Sequence, residues 1–573
     1  MRRLHPGKPL RTVVVGLCAI LAMFACGGNS NTPSAQPAPA DQQLLRINDI
    51  TDPNSLDPTQ QTYTYEGAVG RLAFQTLLQP NPGLTDVQPA AAQSYEVSSD
   101  GLTYTFHLRQ NARWSDGKPV VAADWVYGWK HFLNPALAAG YVDPFFDQTI
   151  AGASNYNKVD VTSASAIDSY LNGLGLSAPD DHTFVVKLGA PAGYFKWAAT
   201  LWVAVPLRKD IVEQAAGGTF PSTDTTKPEA WANDPKTIVG NGLFKISDYT
   251  PKDHLTLVPN ANYWDGPPKL QKIVYSFISD ANTAFAKYRT GDLDVLNVPI
   301  SNVDVVKQDP VLSKQAKLYP KLTTFWMTYN SKQAPLDNPD VRLALSKSID
   351  RNKLTQDVVK GTDTPTQTFI PKGMNGYDPS LGDPQKFDPA AAKQLLQKAG
   401  VTAAQLSKFK LLTRDTTNNK TLNQFISQQW QDNLGANIQV DVIDSKTVTS
   451  RIRKGQFDIY GPDGWGADYP DEQDWFDIFF AAACHSLNWG CANLPGYDAT
   501  VQRADSGKTD SARFPLYTQA QKQLVSTAAV GFLYQQGEYN LIRPYVQGMT
   551  ITAIDDEYIP GDLFLHDVYV ARH

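Results

Sequence analysis

The chain has 573 residues, a formal net charge of −6, 42% hydrophobic residues and 19% charged ones. That length calls for two or three domains. The acidic balance excludes a nucleic-acid binder and a polybasic membrane patch, and no heptad, internal repeat or long charge block is present.

The first residues read as an export signal. Arg2, Arg3, Lys8 and Arg11 form a basic region, and Thr12–Ala25 is an apolar run ending in small residues. Ala25-Cys26-Gly27 has the form of a lipobox, in which Cys26 is lipidated and becomes the new N-terminus. Met23 and Phe24 depart from the usual Leu and small residue there, and an ordinary signal peptide or a retained anchor is the alternative. Residues 27–43 have almost no large apolar side chain and read as a flexible tether. Loss of residues 1–25 removes four basic residues and no acidic one, which takes the net charge from −6 to −10. No other run approaches the length of a membrane span.

Leu44 opens a strand that leads to a turn. Asp100-Gly101 is a turn signal, and Leu102–Leu108 then alternates as a strand does. Trp114-Ser115-Asp116-Gly117 is a second turn. An aromatic-rich helix follows from about Ala122 to Leu133, stopped by Asn134-Pro135. Val185, Val186 and Leu188 suggest a buried strand. Leu243–Ile246 and His254–Val258 form a hairpin. Lys272–Ser276 and Asp292–Val298 bracket a helix, Asn282–Tyr288, a β-α-β pattern that suggests parallel pairing.

The second half alternates likewise. Strands are expected at Phe325–Tyr329, Phe409–Leu412, Ile438–Val442, Phe457–Tyr460, Gly531–Tyr534 and Tyr539–Ile542. Helices are expected at Asp340–Ser348, Thr421–Leu434 and Arg513–Ser526. A further helix, after Asp388, is punctuated by Asp388 as N-cap, Pro389 in the first turn and Gly400 at its end. This is an α/β chain, and two α/β lobes with a cleft between them suit capture of a small ligand.

Of the four cysteines, Cys18 leaves with the signal and Cys26 carries the lipid. Cys484 and Cys491, in CHSLNWGC, are expected to form a short-loop disulfide, with a metal site using His485 as the alternative.

Landmarks in a fixed order carry a resemblance. They are the segment Ala91–Pro135, Asn262-Tyr263-Trp264, Tyr288–Asp292, Asn338–Arg342, Ser348–Arg351, and Asp458-Ile459 followed by Gly464–Pro470. Together they resemble the extracytoplasmic solute-binding proteins of family 5, the oligopeptide- and dipeptide-binding lipoproteins of peptide ABC importers. The resemblance implies a two-lobed periplasmic-binding-protein fold of type II with three domains, a hinge and a ligand cleft between the lobes. The expected division is 44–74, 204–298 and 541–573 for domain I, 75–203 for domain II and 299–540 for domain III. It also implies an exported monomer, lipid-anchored at the outer face of the cytoplasmic membrane, that hands peptides to a permease. No catalysis, cofactor, metal or nucleic acid is expected.

The same resemblance implies the site. Asp468 would meet the cationic α-amino group of a peptide, since an unpaired buried ion is costly. The competing reading of Asp468 is a turn or N-cap residue before a helix after Pro470. Gly464, Trp465 and Gly466 would offer backbone groups to an extended ligand. Tyr469, Tyr141, Asn488 and Tyr534 complete the candidates, and Trp465 serves equally well as core. Three departures stand out. Tyr460-Gly461-Pro462-Asp463 is one residue longer than in the familiar oligopeptide binders and lacks their arginine. About Asn419 stands where the family has a histidine, and Thr62 where it has a glutamate. Arg414, Lys420 or Lys360 could supply the missing cation. The sequence holds no Gly-x-Ser-x-Gly, no His-Glu-x-x-His and no Walker loop. A carboxylate-based exported hydrolase, a surface sensor or adhesin on the same fold, and a binder of nickel, haem or oligosaccharide are the rival readings.

Overall fold

The computed structural model describes residues 36–49, 51–142, 146–215, 230–232, 234–556 and 558–573. The signal segment, Cys26 and most of the tether lie outside them. Fourteen strands matter here. They are β1 (Leu44–Asn48), β2 (Ala92–Val97), β3 (Thr103–Leu108), β4 (Leu176–Asp180), β5 (Thr183–Lys187), β6 (Phe244–Thr250) and β7 (His254–Pro259). The others are β8 (Lys272–Ser276), β9 (Val295–Asn297), β10 (Ala316–Tyr329), β11 (Lys410–Arg414), β12 (Gln439–Ile443), β13 (Ile459–Gly466) and β14 (Val530–Ile542). The helices used below are α1 (Thr64–Ala73), α2 (Ala122–Phe132), α3 (Ala281–Thr290), α4 (Pro389–Ala399), α5 (Thr417–Leu434), α6 (Tyr497–Asp505) and α7 (Asp510–Ser526).

A four-stranded antiparallel sheet in the order β2-β3-β5-β4 forms one body. Helix α2 starts where Asp124 accepts from the Val121 N–H at 3.0 Å and from Trp114 Nε1 at 3.1 Å, so one carboxylate both caps the helix and ties down the preceding turn. The helix buries Trp125, Trp129 and Phe132. Trp129 meets Phe184 of β5 edge-on, with ring centroids 5.3 Å apart.

The large sheet has eleven strands, ten of them in the order β12-β11-β13-β10-β14-β9-β1-β8-β7-β6. The expected parallel relation of β8 and β9 is present, but they do not touch. Both pair with β1, which lies between them. Asp280 caps α3 through the Thr283 N–H, and Gly291 ends it in the left-handed region at φ +91°. Helix α4 follows its sequence punctuation. Asp388 accepts from Ala391 N–H at 2.9 Å, and Gly400 closes the helix at φ +67°.

Two long strands cross between the halves of this sheet. β14 pairs with β9 through Asn540–Ile542 and with β10 from Ala316 to Thr328. The two strands expected at Gly531–Tyr534 and Tyr539–Ile542 are therefore one strand of 13 residues. The polar run between them stays in the ladder because its side chains find partners. Gln535 Nε2 donates to the carbonyls of Lys321 and Lys372, each at 2.9 Å. β10 likewise starts nine residues before Phe325. Its Lys- and Pro-containing first half lacks apolar alternation and is held by β14 instead. Separate apolar cores lie around β1 and β6–β8, around α2 with the small sheet, and on either side of β10, β13 and β14.

Cys484 and Cys491 are joined by a disulfide with Cα atoms 4.6 Å apart, and the His485 ring nitrogens stand 3.4 and 3.5 Å from Cys491 Sγ.

Candidate functional site

The site begins where β13 loses a neighbour. Ile459 and Tyr460 pair with β11, and beyond Tyr460 that pairing stops. Asp463–Gly466 then pair with β10 alone. Among the described residues no strand covers the other edge of Gly464–Gly466. The register steps from Tyr460↔Thr328 to Asp463↔Trp326, so three steps along β13 match two along β10. This bulge absorbs the residue by which the stretch exceeds the familiar pattern. Asp463 turns inward, accepting from Thr328 Oγ1 at 2.7 Å and Trp326 Nε1 at 3.3 Å.

Glycine is required on this strand by close approach. A Cβ on Gly464 would lie 2.6 Å from Phe325 Cδ1, and one on Gly466 would lie 2.9 Å from Thr323 Oγ1. Gly464, Gly466, Phe325 and Thr323 all line a cavity of about 200 Å³, together with Ala467, Asp468, Arg71, Trp202, Lys321 and residues of the 536–556 region.

Asp468 is 8% exposed. Its backbone N–H donates to Asp474 Oδ2 at 3.0 Å, and its Oδ1 accepts from the Tyr141 hydroxyl at 3.1 Å. Oδ2 receives no hydrogen bond. Asp468 does not cap a helix. The turn after Pro470 is capped by Asp471, whose Oδ1 accepts from Gln473 N–H at 3.0 Å. Burial pushes the Asp468 carboxyl up to about 7, against the opposing pull of the Tyr141 hydrogen bond and of Arg71. Asp474 is driven up too, by burial and by the charge of Asp468.

Both cations of the cavity are already engaged. Arg71, on α1, reaches Asp556 at 2.8 Å and Asp562 at 3.1 Å, and lies 4.9 Å above the Trp202 ring. Lys321 donates to the Asp555 carbonyl and lies 3.8 Å from Glu538. Against these two stand four lining carboxyl groups, Asp468, Glu538, Asp555 and Asp556. The cavity therefore favours a cationic group and has an open backbone edge beside it.

The structure brings Asp468, Tyr141, Gly464 and Gly466 together. Trp465, alternating with the two glycines, points away from the cavity and packs between two apolar cores, its indole beside Asp474. Tyr469 is fully buried and bonds Gln473 Oε1. Tyr534 stands behind Phe325, with ring centroids 5.1 Å apart. Asn488 is buried inside the disulfide loop, its Nδ2 donating to the Phe479 and Phe480 carbonyls and its Oδ1 accepting from Ala492 N–H. None of these four lines the cavity. The suggested replacement cations stand elsewhere as well. Arg414 is bonded to Tyr460, Lys420 to Asp415, and Lys360 lies 3.9 Å from Asp304. Sequence reading missed Arg71, Trp202, Lys321 and Asp556. They converge from separate segments, and no spacing announces them.

These features define a two-lobed α/β binding protein with its cavity between the lobes. The model of the bacterial extracellular solute-binding proteins, family 5 (middle) matches residues 86–485, and the chain belongs to that family. The periplasmic oligopeptide-binding protein OppA of Salmonella typhimurium is 29% identical over 574 residues, covering 98% of each chain. The periplasmic murein peptide-binding protein MppA of Escherichia coli is 27% identical, covering 98% of this chain and 99% of its own. The crystal structure of Haemophilus influenzae OppA in complex with the peptide RPPGFSPFR superposes with a TM-score of 0.73 at 26% identity, covering 94% of this chain and all of that one.

Proposed function

We propose that this protein captures peptides outside the cytoplasmic membrane and delivers them to an ABC permease, without catalysing a reaction. Cys26 carries the lipid anchor, and the domains follow the boundaries 44–74, 204–298 and 541–573 (I), 75–203 (II) and 299–540 (III). One observation carries the reading. A buried carboxylate oxygen, Asp468 Oδ2, has no hydrogen-bond donor and belongs to a residue lining a cavity beside an unpaired strand edge. A peptide α-ammonium group supplies both the missing donor and the countercharge. The backbone of Gly464–Gly466 then pairs with the peptide main chain regardless of side chains. The names of the relatives, peptide binders in the main, support the same ligand class.

The cavity, at about 200 Å³, is smaller than the roughly 300–1,000 Å³ usual for a bound small molecule, so entry of a peptide requires the lobes to part. Ligand contacts from both lobes then favour the closed form.

Calorimetric titration with a free tripeptide and its N-acetylated form tests this, using the natural protein and Asp468→Asn. The natural protein should prefer the free peptide at least tenfold, and the variant should lose that preference while remaining folded. Equal affinity of the natural protein for both peptides overturns the assignment.

A further inference from the structure

A second cavity, of about 470 Å³, lies between the small-sheet body and the body carrying β13. It is larger than the one at Asp468 and none of its lining residues is basic. Asp147, Thr149, Pro191 and Tyr194 come from one side, and Asp477, Phe480, Leu487 and Asp505 from the other. Tyr469 and Gln473 lie beside the cavity, Gln473 Nε2 donating to Asp477 Oδ2 at 2.6 Å. Both are buried, and they are bonded to each other.

The polar part of this cavity is built rather than incidental. Asp477 is only 8% exposed. Gln473 Nε2 fixes its Oδ2 at 2.6 Å, while Oδ1 receives no hydrogen bond. The carboxyl of Asp505 is adjacent, its Oδ1 held by the Tyr517 hydroxyl at 2.5 Å. A buried and a partly buried carboxyl group side by side favour sharing a proton or admitting a cation. Burial and their mutual repulsion drive Asp477 upward, and burial drives Asp505 up to about 7. The nearby guanidinium of Arg513 is paired with Asp471 and Asp510 and offsets the charge of Asp505 only in part, against its burial. Phe480, Leu487 and Pro191 supply apolar wall next to these acids. A bare metal ion would leave that wall unused, whereas an amine with a hydrocarbon body satisfies both parts.

We propose that this second cavity binds an organic ammonium compound, its cationic head between Asp477 and Asp505 and its apolar body against Phe480, Leu487 and Pro191. The ammonium group takes the place of the shared proton. Because the walls come from both bodies, occupancy draws them together and so favours the form that holds ligand at Asp468. The proposal does not depend on the nature of the ligand at Asp468.

The test is calorimetric titration of the mature protein with 2-phenylethylamine and with its neutral counterpart 2-phenylethanol. Saturable binding of the amine, and at least tenfold weaker binding of the alcohol, is expected. Asp477→Asn/Asp505→Asn should weaken amine binding tenfold or more, and Asp468→Asn should leave it unchanged. Gln502→Trp, which fills the cavity from an exposed helical position, should abolish amine binding without touching either acid. Absence of saturable amine binding, binding unchanged in the double variant or in Gln502→Trp, or loss of binding in Asp468→Asn instead overturns the proposal. The last outcome places the amine in the first cavity.

Discussion

The Tyr141 hydroxyl donates to Asp468 Oδ1 at 3.1 Å, joining residues 327 apart in sequence. Burial and the charge of Asp468 hold the phenol far above its ordinary titration range, so Tyr141 keeps its proton and can donate it to Asp468. One carboxylate oxygen is thereby committed, and the other is left for a ligand.

Tyr141→Phe should therefore weaken capture without removing it. The charge of Asp468 remains, but its orientation and one stabilising hydrogen bond are lost. Such a bond to a charged group is worth about 1.5–3 kcal/mol, roughly a tenfold to hundredfold loss of affinity. Titration of the natural ligand class at neutral pH checks this. The loss should shrink as pH rises, because without its donor the carboxyl titrates higher still. An unchanged affinity at neutral pH would mean that the contact only holds the lobes together.

The dependence on pH has two opposite arms. Burial raises Asp468, Asp505 and Asp555 to about 7 and Asp463 to about 6. The ordinary value is about 4. Between about pH 4 and 7 the folded protein thus holds more protons than the unfolded chain, and stability falls as pH rises through that window. The carboxylates lowered by surface pairing, such as Asp86 and Asp116, act below it. The melting temperature of the ligand-free protein should be several degrees higher at pH 5 than at pH 7.5. Affinity for a free peptide should move the other way, since the ammonium group needs Asp468 ionised. Melting curves and titrations at both pH values decide this. A melting temperature that is flat or rises with pH contradicts the burial argument.

Much of the scaffold was legible because its signals are local. Asp388, Pro389 and Gly400 are a start and a stop within one helix, and Leu102–Leu108 alternates within one strand. The fusion of two short strands into β14 was not legible. Gln535 and Glu538 read as a loop until their partners, distant in sequence, are known. The site divided in the same way. Asp468 and the two glycines sit in one short segment with a family pattern, whereas Arg71 and its partner Asp562 are 491 residues apart. Trp465 shares the segment of Asp468 but faces the core, because alternation along the strand sends it to the side opposite Gly464 and Gly466, and Tyr469, beyond the strand end, is buried against Gln473.

Gly464 offers a test of the open strand edge. A side chain there collides with Phe325, which lines the cavity. Gly464→Ala should displace the Phe325 ring and weaken peptide binding at least tenfold, with a smaller effect on melting, since the edge on that side has no strand partner to lose. Binding isotherms and thermal melts on the same sample check it. Full affinity in this variant would remove the strand edge from the proposed binding surface.

Arg71 lines the cavity and holds two acids beside it. Its two partners, Asp556 and Asp562, are almost completely buried, with side chains 1% and 0% exposed. Replacing the guanidinium leaves their charge without compensation, and breaking a buried pair from one side costs about 3–5 kcal/mol. Arg71→Met keeps the side-chain length and should lower stability by that amount at pH 7.5. Arg71→Lys should fall between the two, because an ammonium group meets both carboxylates less well than the planar fork does. Burial already drives the Asp556 carboxyl upward against the pull of Arg71, so without the guanidinium it takes up a proton at pH 5 and the deficit of Arg71→Met should shrink there. Chemical denaturation at the two pH values measures it. A deficit that is the same at both pH values would mean that Arg71 stabilises by packing on Trp202 rather than by holding these two acids.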